Sequence, residues 1–181
     1  MNQIHNVSKE CFYNFDSIGW LSYLITNQNT LIVASYLNKV VAYVYYQPNP
    51  GHVCKLGVLK EYRKRGIANH LMDMAESKCT SNYIQLEVRV TNDAAINLYV
   101  KRGYRIANVE VNYYNEEGVL ADAYLMLKCS DAVLIDFLRR IFLPLKCAQA
   151  GCKYSVINYI IKETDGTLKY ISDWTKSLDK I

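Results

Sequence analysis

Apolar positions change period several times between residues 30 and 128, and each change marks an element. Residues 30–36 (TLIVASY) and 39–47 (KVVAYVYYQ) are dense in β-branched and aromatic side chains and are separated only by Leu37-Asn38, which predicts a hairpin. Pro48-Asn49-Pro50-Gly51 reads as a loop, and 52–59 as the next strand. From 65 to 80 the spacing turns helical, with Ile67, Leu71, Met74 and Ala75 on one face. Residues 83–90 alternate as a strand does. Thr91-Asn92-Asp93 then offers N-caps for a helix over 94–101, which Gly103 ends. A strand at 104–113, a turn at 115–118 and a last strand at 121–128 follow. Ahead of all this, 5–12 and 16–26 read as two short helices around Tyr13-Asn14-Phe15. The order ββ-β-α-β-α-β-β predicts an α/β fold with a mixed sheet.

After Lys128 the character changes. Residues 131–142 form an amphipathic pattern that stops near Pro144. Residues 155–163 and 167–174 fit a hairpin across Asp165-Gly166, and 154–163 fit a helix nearly as well. The chain therefore reads as one domain over 1–129 and an appended segment of unassigned role over 130–181.

Composition changes this picture little. With 51% hydrophobic and 21% charged residues among 181, the chain has the makings of a globular core and is not a disordered one. A net charge of +4 suits an anionic ligand and is too small to argue for nucleic acid. No apolar run approaches the roughly 20 residues that span a bilayer, and the N-terminus lacks a signal-peptide pattern, so a cytoplasmic protein without a membrane is expected. The six cysteines, Cys11, Cys54, Cys79, Cys129, Cys147 and Cys152, include no C-x-x-C pair. Reduced thiols fit a cytoplasmic protein, and a disulfide between Cys147 and Cys152 stays open. No metal-ligand spacing stands out.

The chemistry concentrates in VCKLGVLKEYRKRGIANH, from Val53 to His70. An apolar strand passes through a basic turn with one glycine into a helix. Such a turn aims backbone N–H groups at one spot and favours an anion there. Arg63-Lys64-Arg65-Gly66-Ile67-Ala68 (R-x-x-G-x-A) is the turn itself. Taken alone it is equally well a solvated basic loop.

Together with Leu56-Gly57-Val58 before it, and with LEVRVTN and Ala95-Ile96-Asn97-Leu98-Tyr99 after it, this turn resembles the GCN5-related N-acetyltransferase (GNAT) superfamily. Within that superfamily LEVRVTNDAAINLYVKRGY, Tyr113-Tyr114 and Asp122-Ala123-Tyr124-Leu125-Met126 resemble protein N-terminal acetyltransferases, both the archaeal enzymes and the ribosomal-protein-alanine type. The resemblance covers about residues 8–128 and implies a GNAT-type mixed central sheet flanked by helices.

It also implies acetyl-CoA as cosubstrate and a protein or peptide N-terminus as acceptor. The expected cofactor set is Leu56, Gly57 and Val58 for the pantetheine arm and Arg63, Lys64, Arg65, Gly66, Ile67 and Ala68 for the diphosphate. Asn92, Asn97, Tyr99 and Arg102 complete that set. His52 and Glu87 match the catalytic positions, and Tyr99 matches the tyrosine beside the CoA sulfur. Tyr113 and Tyr114, on the loop between the last two strands, and Tyr13 in the opposite wall are implied for the peptide. Each has a plainer reading: His52 as a loop-edge histidine, Glu87 as a structural partner of Arg89 or Lys55, Asn92 as a helix cap, Tyr99 as a core aromatic. His5 and His70 match no motif. The family's usual first strand is missing, and Cys11 to Asp16 lacks the loop by which Met-selecting relatives read the first residue. Acetylation of lysine side chains or a small amine is the alternative, with a catalytically silent CoA-binding or interaction module as the rival of another class.

Overall fold

The computed structural model describes residues 2–12, 30–130, 132–134 and 137. The expected helix at 16–26, Tyr13, the Cys147–Cys152 pair and the expected elements of 141–181 lie outside the described residues. The elements are α1 (Asn2–Cys11), β1 (Thr30–Tyr36), β2 (Lys39–Gln47), β3 (His52–Val58), a short 3₁₀ turn (Lys60–Tyr62), α2 (Ile67–Glu76), β4 (Tyr83–Arg89), α3 (Asp93–Lys101), β5 (Arg105–Glu116) and β6 (Val119–Cys129). The strands form one six-stranded sheet in the order β1-β2-β3-β4-β6-β5. β1, β2 and β3 are antiparallel neighbours, and β3 meets β4 in parallel, so the sheet is mixed as expected. Among the described residues no helix is long and apolar enough to cross a membrane.

The hairpin turns come from local chemistry. β1 and β2 are joined by Leu37 (φ 48°) and Asn38 (φ 62°), a two-residue turn with both residues left-handed, which matches the twist of the strands it joins. Asn tolerates that conformation, and Leu37 adopts it while almost fully exposed. Glu117 (φ 49°) and Gly118 (φ 87°) make the same kind of turn between β5 and β6. The last two strands are therefore longer than read from sequence, because the turn needs two residues and the reading allowed four.

The described residues divide into two compact units, one from the amino-terminal helix to Glu87 with Asn115–Leu120, the other Val88–Tyr114 with the described residues from Ala121 onward. In the first, Ile4 and Val7 of α1 bury against Val41, Tyr43 and Tyr45 of β2 and against Leu59. β2 is buried on both faces from Val41 to Tyr46, and α2 buries Leu71, Met72 and Ala75. In the second, Tyr99 and Tyr104 pack their rings 5.7 Å apart, and Ile106, Ala107 and the run from Ala123 to Leu127 are buried.

Candidate functional site

In the first unit β3 and β4 start side by side, with His52 opposite Gln85 and the Gln85 N–H donating to the Gly51 carbonyl at 2.8 Å. That register puts His52 and Glu87, two positions past Gln85, on one face. His52 Nε2 and Glu87 Oε2 are 2.7 Å apart, with the side chains 23% and 14% exposed. The two residues expected to act together are thus in direct, partly buried contact. The Cys54 sulfur and the Glu87 carboxylate raise the His52 imidazole to about 10, against the opposing effect of burial. Between two acceptors the ring holds its proton at neutral pH. Of the two plainer partners weighed for Glu87, Lys55 lies with its Nζ 5.3 Å from the centre of the Phe12 ring.

The basic turn follows at the other end of β3. The first helical bond of α2 is donated by His70 to the Gly66 carbonyl at 3.1 Å, so the amides just ahead of it stand at an open helix start. Gly66 is left-handed (φ 81°), and a Cβ there would meet nothing within 4 Å. The left-handed backbone by itself favours glycine at this position. Arg63 Nε donates to the Val58 carbonyl at 2.9 Å and ties the turn to β3. Arg65 Nη2 donates to the Glu61 carbonyl at 3.0 Å while its guanidinium lies 5.3 Å from the Tyr62 ring centre. Both arginines brace the turn. Lys64 is left-handed (φ 59°) and exposed. Ile67 and Ala68 form the first residues of α2.

Leu56, Gly57 and Val58 pair with Val44, Tyr43 and Ala42 of β2. Gly57 is glycine for a different reason from Gly66. A Cβ at 57 would stand 3.1 Å from Phe12 Cε2 and 3.3 Å from Cys11 Cβ, so the end of α1 packs directly on this strand.

In the second unit Asn92 caps α3, its Oδ1 accepting from the Ala95 N–H at 3.2 Å. The plainer reading of Asn92 therefore holds for its side chain. Asn97 is exposed, and Arg102 closes the helix with its N–H on the Leu98 and Tyr99 carbonyls. Tyr99 is 7% exposed. Burial, with a smaller contribution from Tyr114, pushes its phenol far above the ordinary tyrosine range. It is both a core aromatic and a hydroxyl that keeps its proton. Tyr113 and Tyr114 lie within β5, not on a loop, with rings edge-on at 5.0 Å. Just before them Asn112 is left-handed (φ 57°) and its N–H donates to Asp122 Oδ1 at 2.9 Å, a kink that breaks strict alternation. Arg89, whose guanidinium lies 4.7 Å from the Tyr114 ring centre, and Asp122 are site neighbours the sequence reading missed. So is Cys54, with its Sγ 3.8 Å from His52 Nδ1. The strand alternation that pairs residue 52 with 54 was the available signal.

A sequence model of the acetyltransferase (GNAT) family matches residues 1–104. The Arabidopsis thaliana N-terminal acetyltransferase A complex catalytic subunit NAA10 is 34% identical over 127 residues, 64% of this chain and 65% of its own. An N-alpha-acetyltransferase of Saccharolobus solfataricus is 40% identical over 82 residues, 43% of this chain and 47% of its own. The chain thus spans less than two thirds of either relative. Two solved structures are similar in fold. The ribosomal-protein-S18-alanine N-acetyltransferase from Escherichia coli superposes with a TM-score of 0.60 at 21% identity, over 70% of this chain and 84% of that one. Arabidopsis thaliana Naa50 in complex with the bisubstrate analogue CoA-Ac-MVNAL gives 0.61 at 24%, over 71% and 91%.

Proposed function

Because this chain belongs to the acetyltransferase (GNAT) family, we propose that it transfers the acetyl group of acetyl-CoA to the α-amino group of a protein or peptide N-terminus. The observation that carries this reading is the 2.7 Å His52–Glu87 pair, whose histidine opens the strand that carries Leu56-Gly57-Val58 and leads to an open helix start. The pantetheine arm runs along Leu56 to Val58, and the diphosphate sits over the amides of the turn, where an anion is favoured. A basic side chain there adds a charge-assisted contact; Lys64 is the candidate, since Arg63 and Arg65 brace the turn.

The amine attacks the thioester carbonyl directly, in a complex that holds both substrates. Positioning of the two supplies much of the rate. The amine's proton leaves toward Glu87, directly or through a water, while the protonated His52 ring orients the carboxylate. This reverses the division of labour expected from an ordinary imidazole. Tyr99, whose hydroxyl keeps its proton at any ordinary pH, stabilises the departing CoA thiolate by donating a hydrogen bond to it, and the thiolate takes its proton from water. Tyr113 and Tyr114 grip the acceptor's backbone, and the cytoplasm is the compartment in which such an enzyme meets both substrates.

Peptides beginning with Met, Ser, Ala or Lys, each with a free or a blocked N-terminus, test this reading by mass spectrometry of the products. Acetylation confined to free α-amines is expected. Transfer to blocked peptides through an internal lysine, or to a small amine alone, overturns the acceptor assignment.

A further inference from the structure

Cys54 lies two positions beyond His52 on β3, so the two side chains share one face of the strand. Its Sγ is 3.8 Å from His52 Nδ1, and the ring's other nitrogen is 2.7 Å from Glu87 Oε2. Thiol, imidazole and carboxylate therefore stand in a row. That is the arrangement that activates a nucleophile in general: a base beside it, and a third group that orients the base. Cys54 is half-buried, packed at the margin of the α1–β2 cluster rather than sealed within it. Two residues further along the same strand begins Leu56-Gly57-Val58, to which the pantetheine arm is assigned above. A sulfur contact to the His52 carbonyl, at 3.7 Å, is open to a strand cysteine anywhere and does not explain why the ring faces the sulfur.

We propose that Cys54 is a nucleophile that takes the acetyl group from acetyl-CoA onto its own sulfur when no amine is bound, with His52 and Glu87 as its activating pair. The identity of the acyl donor rests on the cofactor reading above; the activated thiol does not. In the step, the proton shared between Sγ and Nδ1 resides on the ring as the sulfur attacks the thioester carbonyl. A bond forms between Cys54 Sγ and the acetyl carbon, the bond from that carbon to the CoA sulfur breaks, and the departing CoA thiolate takes the Nδ1 proton. One thioester is exchanged for another, and no oxidant or further reactant is consumed. The raised imidazole of His52 is consistent with a ring held between two acceptors.

The full chain is incubated with acetyl-CoA carrying a labelled acetyl group and no acceptor, then acid-quenched and peptide-mapped. One acetyl on Cys54, removed by neutral hydroxylamine and matched by an equivalent of free CoA, is expected. His52→Gln should slow its appearance about a hundredfold, the scale of a lost proton-transfer partner. An unmodified Cys54 in a sample that acetylates peptides, or that binds acetyl-CoA by calorimetry, overturns the proposal and leaves the proposed function standing. Equal acetylation of Cys11, Cys79 and Cys129 overturns it too. Iodoacetamide separates this from failure of the cofactor reading. Even if acetyl-CoA does not bind, Cys54 should alkylate faster than those other three cysteines and lose the advantage in His52→Gln; equal rates overturn the nucleophile itself.

Discussion

In the proposed reaction His52 and Glu87 divide their work by proton affinity. A ring raised to about 10 carries its proton through the neutral range, so the carboxylate is the atom group left to accept one. Glu87→Gln and His52→Gln should each lower kcat by about 10²- to 10⁴-fold. The Kd for acetyl-CoA, measured by calorimetry, should move far less. Comparable losses in both quantities would mean the pair builds the cofactor site and has no part in proton transfer. At Gly66 the expected effect is on stability. Alanine at φ 81° costs about 1–2 kcal/mol in a chemical denaturation curve, although the space around it is empty.

Elements carry their own signals unequally. α3 was legible nearly to the residue because Asn92 is both the sequence cap and the structural one. Asn92→Ala should destabilise that helix by about 1 kcal/mol, read as a lower denaturation midpoint with an unchanged slope. α2 was read as starting at Arg65 and starts at Ile67, since the left-handed Gly66 interrupts the helical backbone. Tyr113 and Tyr114 were placed on a loop because the sequence shows turn residues but not how few of them the turn consumes. The individual members of the His52–Glu87 pair were readable from family motifs. Their 2.7 Å contact was not, since it depends on the parallel register of β3 and β4, which no local pattern encodes. The bracing roles of Arg63 and Arg65 were hidden for a similar reason: a charge at the right place in a motif does not say which way its side chain turns.

At the scale of the whole molecule, the pair couples chemistry to folding. His52 has a higher pKa folded than the unfolded value near 6.5, so the stability it contributes is complete below that pH and is lost as pH rises toward 10. Thermal denaturation from pH 6 to 10 should show Tm falling across this window. The fall should be smaller in His52→Gln, and a parallel decline in both proteins would assign it to other groups. The order of elements and the mixed sheet were legible from periodicity because each strand and helix is long enough to show its period. The division of the chain near Glu87 was not, because it falls inside β4 with no break in sequence.

The close packing at Gly57 turns α1 into a gauge for the strand beneath it. A side-chain carbon at that point of β3 would stand so close to Phe12 and Cys11 that they would have to give by a few tenths of an ångström. A longer, shorter or tilted first helix would therefore press on β3 at residue 57. Changes in the buried face of α1, at Ile4 or Val7, should appear as altered affinity for a ligand lying on β3, though neither residue approaches it. The amino-terminal helix, which contributes no residue to the proposed chemistry, is in this sense the ruler against which β3 is set.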